Sequence, residues 1–377
     1  MRIGFDAKRA AQNRTGLGNY SRFILHLAEC HAPQNEYLLY LPDERKCSLL
    51  PTLSANFLRR FPPAGVWRRM RALWRVWGIT RDLKNDGVRL FHGLSNELPL
   101  NIRRAEGVKS IVTIHDLIFL RYPDCYPLID RLIYNYKFRK ACLHADRIIA
   151  VSECTKRDIV ALYGINPAKI DVVYQGCDVQ FKHPATESLK LQVKNRYQLP
   201  DRYILYVGSI EKRKNLMLVA KALRKLDDTY QVVAVGKRTA YTKKVEEYLR
   251  RHGLEKRMKL LHEVSFGELP ALYQSATVFV YPSRYEGFGI PLLEALNSGT
   301  PAIGAHGSCL EEAGGPASLY VSPDDDAALA DAIRRVYTDE ALRTRMVDEG
   351  RRYAARFEDE PIARQLLGIY RDVMKKG

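Results

Sequence analysis

The chain has 377 residues, of which 46% are hydrophobic, and it carries 22 tyrosines and a formal charge of +17. This length favours two domains, and the composition excludes a disordered chain. No apolar run approaches the about 20 residues of a membrane-spanning helix, and the excess of cations indicates an anionic partner or, alternatively, a solvated basic surface.

The beginning of the chain and its cysteines indicate the cellular compartment. The first residues, MRIGFDAKRA, are typical of a first β-strand and not of a signal peptide. The seven cysteines are scattered and form no Cys-x-x-Cys pair. We therefore expect a cytoplasmic protein with reduced structural thiols and without a zinc site.

Strands and helices alternate along the whole chain. In the first half, the predicted strands are RIGFDA, VRLFHG, SIVTIHD and DRIIAVS, with helices such as NYSRFILHLAE and IDRLIYNYKFRKACLHA between them. In the second half, the predicted strands are RYILYVGS, TYQVVAVG, RMKLLHEV, TVFVYPS and TPAIGA. This alternation predicts two doubly wound parallel sheets, whose ligands bind at the carboxyl ends of the strands.

A polar segment that contains prolines separates the two halves. We therefore predict an N-terminal domain over residues 1–178 and a C-terminal domain over residues 179–356. The last stretch, from about residue 357 to residue 377, is typical of a helix, which we expect to cross back to the N-terminal domain.

Two features of the first half lie beside predicted strands. The loop TGLGNY places Gly16 and Gly18 before a helix, but Ser21 stands where a dinucleotide-binding GxGxxG motif has its third glycine. The predicted strand SIVTIHD ends in His115 and an aspartate. A lone histidine at a strand end is more often structural than functional, so the residue type alone leaves its role open.

A basic and aromatic segment over residues 57–81 contains all three tryptophans of the chain and no acid. Their spacing predicts that Trp67, Trp74 and Trp77 share one helix face with Met70. Interfacial membrane helices combine tryptophan and arginine in this way. The segment predicts contact with an anionic membrane, or alternatively a core-facing helix with a solvated basic side. The residues predicted to contact the membrane or the acceptor are Trp67, Arg68, Arg71, Trp74 and Arg75. Because no nucleic-acid-binding module is recognisable, we expect no nucleic acid partner.

Cations gather at the end of a strand in the second half. In YVGSIEKRKNL, Gly208 opens a turn, and Lys212, Arg213 and Lys214 follow it. Such cations neutralise a diphosphate through charge-assisted hydrogen bonds. A leaving group that gains negative charge needs these partners most in the transition state. The alternative is a surface basic cluster without a ligand.

The stretch SRYEGFGIPLLEALNSGTP carries two glutamates on either side of a glycine loop. Glu286 follows a predicted strand, Gly287 and Gly289 let the backbone approach a ligand closely, and Pro291 suits the start of the helix that contains Glu294. Free N–H groups at such a helix N-terminus form an anion site. Carboxylates on both sides of an anion predict a nucleotide sugar as ligand. The alternative is a plain strand–turn–helix in which Glu294 is a charge near the helix start.

Taken together, the motifs YEGFGIPLLEALNSGTP, VGSIEKRKNL, TIHD and TGLGNY resemble those of the retaining, nucleotide-sugar-dependent glycosyltransferases of family 4, which have the GT-B fold. The resemblance covers nearly the whole chain. It implies an α/β protein with two Rossmann-like, doubly wound parallel-sheet domains that face a central cleft. The N-terminal domain would bind the acceptor and the C-terminal domain the donor. Chains with RKN at this point resemble mannosyltransferases and related enzymes of polysaccharide assembly.

The resemblance also implies roles for individual residues. Glu286 would hold hydroxyls of the donor sugar, Glu294 would hold the ribose, and Arg213 with Lys214 would bind the diphosphate. The chain departs from many family members at Ser209, where they have arginine, so Arg213 would supply that charge. The predicted catalytic set is Glu286, His115, Arg213 and Lys214. The other predicted donor-binding residues are Gly16, Gly18, Gly208, Gly236, Lys237, Val264, Gly287, Phe288, Gly289, Ile290 and Glu294.

The function that the resemblance implies is transfer of a hexose from a nucleoside diphosphate sugar to a glycan or lipid-diphosphate-linked acceptor, with retention of configuration and without a metal or other cofactor. GDP-mannose is the expected donor. We expect the protein at the inner face of the membrane, in assembly of O-antigen or a similar polysaccharide. Two alternatives stay open: an epimerase or phosphorylase on a related fold, and a non-catalytic membrane-surface binding module.

Overall fold

The computed structural model describes residues 1–375. The chain divides into two compact units, one formed by Met1–Gln175 together with the chain from Asp359, the other by Gly176–Glu358. Each unit is built on its own parallel sheet, as the sequence predicts. Within the described residues, no helix is both long enough and apolar enough to cross a membrane.

The first unit contains a seven-stranded parallel sheet in the order β3-β2-β1-β4-β5-β6-β7, so the strand order reverses between β1 and β4. All residues of β5 except the first are buried, on both faces, as expected for a parallel sheet covered on its two sides. The strands are β1 (Arg2–Asp6), β2 (Glu36–Tyr40), β3 (Phe57–Arg60), β4 (Leu90–Gly93), β5 (Lys109–Ile114), β6 (Arg147–Ala150) and β7 (Ile170–Val172).

Helices connect these strands, and the two longest connecting helices, α2 and α7, precede β2 and β6. The helices are α1 (Lys8–Gln12), α2 (Gly16–His31), α3 (Val66–Arg69), α4 (Arg71–Leu73), α5 (Ile79–Asn85), α6 (Ile118–Arg121), α7 (Leu128–His144) and α8 (Glu153–Tyr163).

The tryptophan-rich segment is not one helix. The helical path is interrupted at Met70, whose ψ is 50°, between α3 and α4, and a π-helical turn follows at Trp74–Gly78. Both irregularities change the position of each residue around the axis. The prediction that Trp67, Trp74, Trp77 and Met70 share one helix face is therefore wrong.

Trp74 and Arg75 have internal partners, which corrects the prediction that they contact a membrane. Trp74 is 1% exposed and belongs to the core of the first unit. Arg75 lies between two carboxylates, with N–O distances of 2.6 Å to Asp6 and 2.7 Å to Glu97. Because Asp6 ends β1 and Glu97 follows β4, this ion network closes the point where the strand order reverses.

Of the remaining predicted membrane residues, Trp67 and Arg71 have partners within the unit, whereas Arg68 is exposed. Trp67 is partly buried and packs against the core. Arg71 forms an ion pair with Asp43, and the guanidinium of Arg68 is 4.0 Å from the carboxylate of Glu44. The acids lie outside the segment itself, so its composition gave no sign that its cations would be paired.

The second unit contains a six-stranded parallel sheet in the order β10-β9-β8-β11-β12-β13, which reverses between β8 and β11. Its strands are β8 (Ile204–Val207), β9 (Val232–Val235), β10 (Met258–Leu261), β11 (Val278–Tyr281), β12 (Ala302–Ala305) and β13 (Leu319–Val321). Its helices are α9 (Glu187–Tyr197), α10 (Leu216–Leu223), α11 (Thr242–Arg251), α12 (Leu269–Ser275), α13 (Ile290–Asn297), α14 (Leu310–Gly314), α15 (Asp326–Thr338) and α16 (Glu340–Ala354).

The final helix, α17 (Asp359–Lys375), belongs to the first unit. Its Tyr370 is fully buried, and the hydroxyl lies 2.7 Å from Nδ1 of His92. The other ring nitrogen of His92 lies 2.9 Å from the hydroxyl of Thr113, which in turn bonds to Tyr20 of α2. His92 is therefore a core residue with both nitrogens occupied, and burial lowers its pKa to about 3.

Candidate functional site

The loop between β11 and α13 positions the two glutamates singled out by the sequence. Tyr281 ends β11, and α13 begins at Ile290 with Pro291 in its first turn. Gly289 has φ of 119°, and a Cβ atom there would lie 2.9 Å from the Leu310 side chain. Glycine is needed for this turn, which directs the start of α13 back along the end of the strand.

Four side chains contact the same carboxylate oxygen of Glu286, three by hydrogen bonds and Arg213 by an ion pair. Oε1 lies 2.7 Å from Arg213 Nη1 and 3.0 Å from Lys214 Nζ. The hydroxyls of Tyr281 and Ser283 donate to the same atom at 2.9 and 2.7 Å. In the part of the chain that the structure describes, no protein group donates to Oε2 of Glu286. The carboxylate is thus fixed in position while one oxygen remains able to accept a hydrogen bond from a ligand.

The electrostatic surroundings keep Glu286 ionised. Burial on its own would raise the pKa of this carboxyl, but Lys214, Arg213 and the Ser283 hydroxyl outweigh it and lower the pKa to about 2. A carboxylate with this pKa does not deliver a proton near neutral pH. Glu286 can therefore accept hydrogen bonds, but it is unsuited to act as a general acid.

Arg213 and Lys214 are placed by the residue that follows them. Asn215 is buried, has φ of 62°, and its amide donates to the carbonyls of Pro282 (3.1 Å) and Pro323 (2.8 Å). This ties the segment after β8 to the segment after β11. The two strands are neighbours where the strand order reverses, which is where ligands bind in open parallel sheets.

The start of α13 offers backbone donors next to this cluster. The N–H groups of Gly289 and Ile290 have no acceptor among residues 1–375, as expected for the first positions of a helix. Unpaired N–H groups at a helix N-terminus attract anions. Phe288 is buried and packs on Phe357 at 5.4 Å between ring centroids, so its side chain anchors the loop.

Glu294 lies in a different environment from Glu286. It is buried in the middle of α13, and the Tyr273 hydroxyl donates to its Oε2 at 2.9 Å. Burial raises the pKa of Glu294 to about 7, against the lowering effect of Tyr273, and Asp178 adds to the rise. The carboxyl is therefore close to half-protonated at neutral pH.

The other predicted donor-binding residues of the second unit follow neighbouring strands along one edge of the sheet. Gly208 comes after β8, Gly236 and Lys237 after β9, and Val264 after β10. A Cβ atom on Gly236 would lie 1.9 Å from the carbonyl oxygen of Gly208, so this glycine permits the two strand ends to approach each other. Lys237 is exposed, and its carbonyl accepts a hydrogen bond from Ile210.

In the first unit, the glycines of TGLGNY lie in the first turn of α2. A Cβ atom on Gly18 would lie 1.8 Å from the carbonyl oxygen of Asn13, whereas no atom lies within 4 Å of the same position on Gly16. Gly18 is thus required by the packing of its own turn. Gly16 borders open space, where its N–H at the start of a long helix can meet a ligand.

His115 is joined to the same helix through Tyr20. The two rings meet edge to face with centroids 4.6 Å apart, and Nε2 of His115 lies 2.9 Å from the carbonyl oxygen of Leu94. A carbonyl can only accept, so Nε2 carries the proton and Nδ1 is the acceptor nitrogen. Burial lowers the pKa of His115 to about 4, which keeps the ring neutral at physiological pH.

The structure therefore brings the predicted residues together in two groups, one in each unit. Glu286, Arg213 and Lys214 are in contact in the second unit, and His115 and the TGLGNY helix are in contact in the first. Residues that sequence reasoning missed are Tyr281, Ser283, Asn215 and Tyr273. The first three lie in or beside the predicted motifs, so their polar groups near strand ends could have indicated a role in the site. No sequence pattern indicated such a role for Tyr273.

Comparisons with known proteins identify the family of the chain. Residues 21–181 match the family Glycosyltransferase Family 4, and residues 189–353 match Glycosyl transferases group 1. The chain is 30% identical over 322 residues to O-antigen chain mannosyltransferase B of Escherichia coli, an alignment that covers 84% of this chain and 82% of that protein. It is 31% identical over 225 residues to O-antigen chain mannosyltransferase RfbU of Salmonella typhimurium, covering 60% of each protein.

Solved structures give the same fold. A sucrose-phosphate synthase from Thermosynechococcus elongatus superposes with a TM-score of 0.79 at 22% identity, covering 100% of both chains. The Anabaena protein HepE in complex with UDP-glucose superposes with a TM-score of 0.77 at 16% identity, covering 99% of this chain and 100% of that one. The chain belongs to the glycosyltransferases of family 4 and group 1 type, with the GT-B fold.

Proposed function

We propose that this glycosyltransferase transfers a mannose residue from GDP-mannose to a glycan or lipid-diphosphate-linked saccharide, with retention of the anomeric configuration, in assembly of O-antigen or a similar polysaccharide. The mannose assignment rests on the RKN segment and on the two O-antigen chain mannosyltransferases to which the chain is similar. Placement at the cytoplasmic face of the membrane follows from an acceptor carried on a lipid.

The observation that carries the proposal is the half-occupied carboxylate of Glu286. Three hydrogen-bond donors and the Arg213 cation fix Oε1, and Oε2 is left to accept from the hydroxyls of a donor sugar. The unpaired N–H groups of Gly289 and Ile290 follow within the same loop and suit the phosphates of the donor. A carboxylate oxygen that accepts hydrogen bonds from hydroxyls, placed beside an anion site, matches the part of a nucleotide sugar where hexose and diphosphate join.

We propose that the diphosphate is stabilised by protein cations and backbone N–H groups without a metal ion. Arg213 and Lys214 lie within 3.0 Å of the Glu286 carboxylate, so two cations are present at the site proposed for the diphosphate. Glu211 is 4.0 Å from Arg213 and half exposed, which makes it a weak partner. Cations at this position would act most strongly when the leaving diphosphate gains charge as the sugar departs.

The low pKa of Glu286 argues against a role as general acid, and its proposed task of holding sugar hydroxyls argues against a role as nucleophile. Oε2 of Glu286 would hold the sugar. No protein base is needed if an oxygen of the departing diphosphate takes the proton of the acceptor hydroxyl. Such a step leaves the acceptor on the same face as the leaving group, which retains the configuration. We propose that Glu294 accepts hydrogen bonds from the ribose hydroxyls. We also propose that Nδ1 of neutral His115 accepts a hydrogen bond from a substrate hydroxyl.

A screen followed by a transfer assay tests the proposal. Thermal unfolding is measured with a panel of nucleotide sugars, and a donor that binds the folded protein raises the transition temperature. GDP-mannose is expected to give the largest rise, and incubation with a lipid-linked saccharide is expected to give an elongated product whose new anomeric proton has the configuration of the donor. A chelator is expected to leave the rate unchanged.

Other outcomes of the screen would contradict specific parts of the proposal. A larger rise of the transition temperature with a UDP-sugar would show that GDP-mannose is not the preferred donor. An isomerised nucleotide sugar without elongated product would indicate an epimerase. Loss of activity with a chelator, restored by a divalent cation, would overturn metal independence. A protein that binds no nucleotide sugar would overturn the site assignment.

A further inference from the structure

The outward face of α7 is an apolar surface that the fold leaves uncovered. Five of its large apolar side chains are between 45% and 71% exposed: Leu128, Ile129, Leu132, Ile133 and Tyr136. These residues recur at helical spacing, and at about 100° per residue they cover an arc of about 140°. We refer to these five residues as the α7 face. Single exposed apolar residues are ordinary, but a contiguous patch marks an interaction surface.

The opposite side of the same helix already holds it on the sheet. Phe138, Ala141 and Cys142 belong to the buried core of the first unit, and Tyr134 packs against that core. The α7 face is therefore not needed for the attachment of the helix. A surface helix normally carries polar residues on its solvent side, so packing within the unit does not explain these five side chains.

Cations accompany the α7 face. Arg139 and Lys140 continue the same arc toward the end of the helix, and Nζ of Lys140 lies 6.0 Å from the centroid of the Tyr136 ring. The sequence of α7 contains one acid, Asp130, which the helical spacing places about 60° or more outside the arc. The exposed surface of the helix is therefore apolar and basic.

Further cations lie at the C-terminal end of the helix. Arg103 donates to the carbonyl oxygen of Leu143 at 3.2 Å, and Lys169 donates to the same carbonyl at 3.0 Å and to that of Cys142 at 2.8 Å. These contacts satisfy carbonyl groups that a helix end leaves unpaired. They also bring two more positive charges to the end of α7 that carries Arg139 and Lys140.

We propose that the α7 face docks on an anionic membrane surface. A second copy of the chain would bring cation against cation, whereas a lipid interface supplies acyl chains for the apolar stripe and anionic headgroups for the flanking cations at once. The docking surface extends the proposed function, because it would hold the enzyme where a lipid-linked acceptor lies. It replaces the predicted membrane contact of Trp74, Arg71 and Arg75, because Trp74 is buried and the two arginines form ion pairs within the unit.

Vesicle co-sedimentation of the full chain, without donor or acceptor, tests the proposal. Vesicles of phosphatidylcholine with phosphatidylglycerol are compared with phosphatidylcholine alone. The test variant carries Ile129→Ser and Leu132→Ser. The matched control carries Val179→Ser and Leu191→Ser, two side chains of the second unit that are 61% and 60% exposed. The test variant is expected to lose about tenfold or more of the binding to anionic vesicles, while the control binds like the unmodified protein.

A charge variant and two further measurements distinguish the possible occupants. Arg139→Gln with Lys140→Gln is expected to weaken binding to anionic vesicles about fivefold or more and to reduce its salt dependence. Equal vesicle binding by the test variant and the unmodified protein overturns the proposal. The proposal is also overturned if the unmodified protein binds no vesicles and forms a dimer in sedimentation velocity that the test substitutions dissociate. The α7 face is then an interface between copies of the chain. Donor binding, measured separately by thermal shift, is expected to be unchanged in the test variant. Failure of the membrane proposal can therefore be distinguished from failure of the proposed transferase function.

Discussion

Glu286 and Glu294 lie on either side of one glycine loop, yet the protein treats them in opposite ways. Glu286 has two cations and two hydroxyls on one oxygen, and its pKa falls to about 2. Glu294 has a single phenol, and burial raises its pKa to about 7. The difference shows that burial does not determine the charge of a carboxyl, because the number of donors and cations around it decides whether burial is offset. One site is permanently anionic, and the other changes charge in the physiological range.

The largest expected effect comes from removing the permanent charge. We expect Glu286→Gln to lower kcat/KM for transfer by about 100- to 1,000-fold, because a neutral amide holds the sugar hydroxyls poorly in the transition state. Affinity for GDP, which lacks the sugar, is expected to change much less than affinity for GDP-mannose. Isothermal titration and initial rates measure both. A folded Glu286→Gln protein with full kcat/KM would exclude the role assigned to this residue.

The same substitution at the two positions is expected to change stability in opposite directions. Glu286 stabilises the fold above the pKa of the unfolded carboxyl, about 4.5, and that contribution is lost only as the pH falls through about 2. The stability associated with protonated Glu294 is instead lost as the pH rises from about 4.5 through about 7.

At about pH 8 we therefore expect Glu286→Gln to lower the free energy of unfolding by about 3 kcal/mol and Glu294→Gln to raise it by a similar amount at most. The gain from Glu294→Gln is expected to shrink toward about pH 5, because the wild-type carboxyl is then protonated in the folded protein. Thermal or denaturant unfolding at both pH values measures this. Destabilisation by both variants at about pH 8 would contradict the assigned difference in charge.

Donor affinity is expected to depend on pH through Glu294. Between about pH 6 and pH 8, affinity for GDP-mannose should rise about fivefold, since an ionised carboxylate accepts from ribose hydroxyls more strongly than a protonated one. The diphosphate of GDP-mannose is esterified at both ends, so it lacks the terminal phosphate group that titrates near pH 6. Titration calorimetry is expected to show a flat profile for Glu294→Gln. A slope that persists in this variant would assign the pH dependence to another group.

The smallest expected effects come from removing one hydroxyl at each glutamate. Tyr273→Phe removes the hydrogen bond that lowers the pKa of Glu294, so the midpoint of the affinity profile should move upward by less than about one pH unit. Ser283→Ala leaves three donors on Glu286, and kcat/KM should fall no more than about tenfold. A shift to lower pH in Tyr273→Phe would show that the phenol does not stabilise the ionised carboxyl.

The sequence predicted those parts of the site that depend on local signals. Apolar β-branched runs located the strands, and the glycines and proline after β11 located the turn into α13. Because the strands are parallel, their carboxyl ends share one edge, which placed Glu286 and the cations of the second unit together. The pairing of Glu294 with Tyr273 could not be predicted, since it depends on how α12 packs against α13.

The two apolar helical segments of the first unit show where pattern reading fails. Around Trp67 and Trp77, the interruption at Met70 and the π-helical turn alter the helical period, and neither has a signal in the residue types. In α7, apolar residues on both faces are typical of a buried helix, so the sequence gave no reason to expect that one face is exposed. In both cases the missing information is the identity of the packing partner.

The hydrogen bond between Tyr370 and His92 joins residues 278 positions apart. On the ribosome, every residue of the second unit is synthesised before Tyr370 is, and domains generally fold as units during synthesis. The second unit can therefore fold while the first still lacks its last helix and the partner of its buried histidine. The core of the first unit is therefore completed only after the whole second unit has been synthesised.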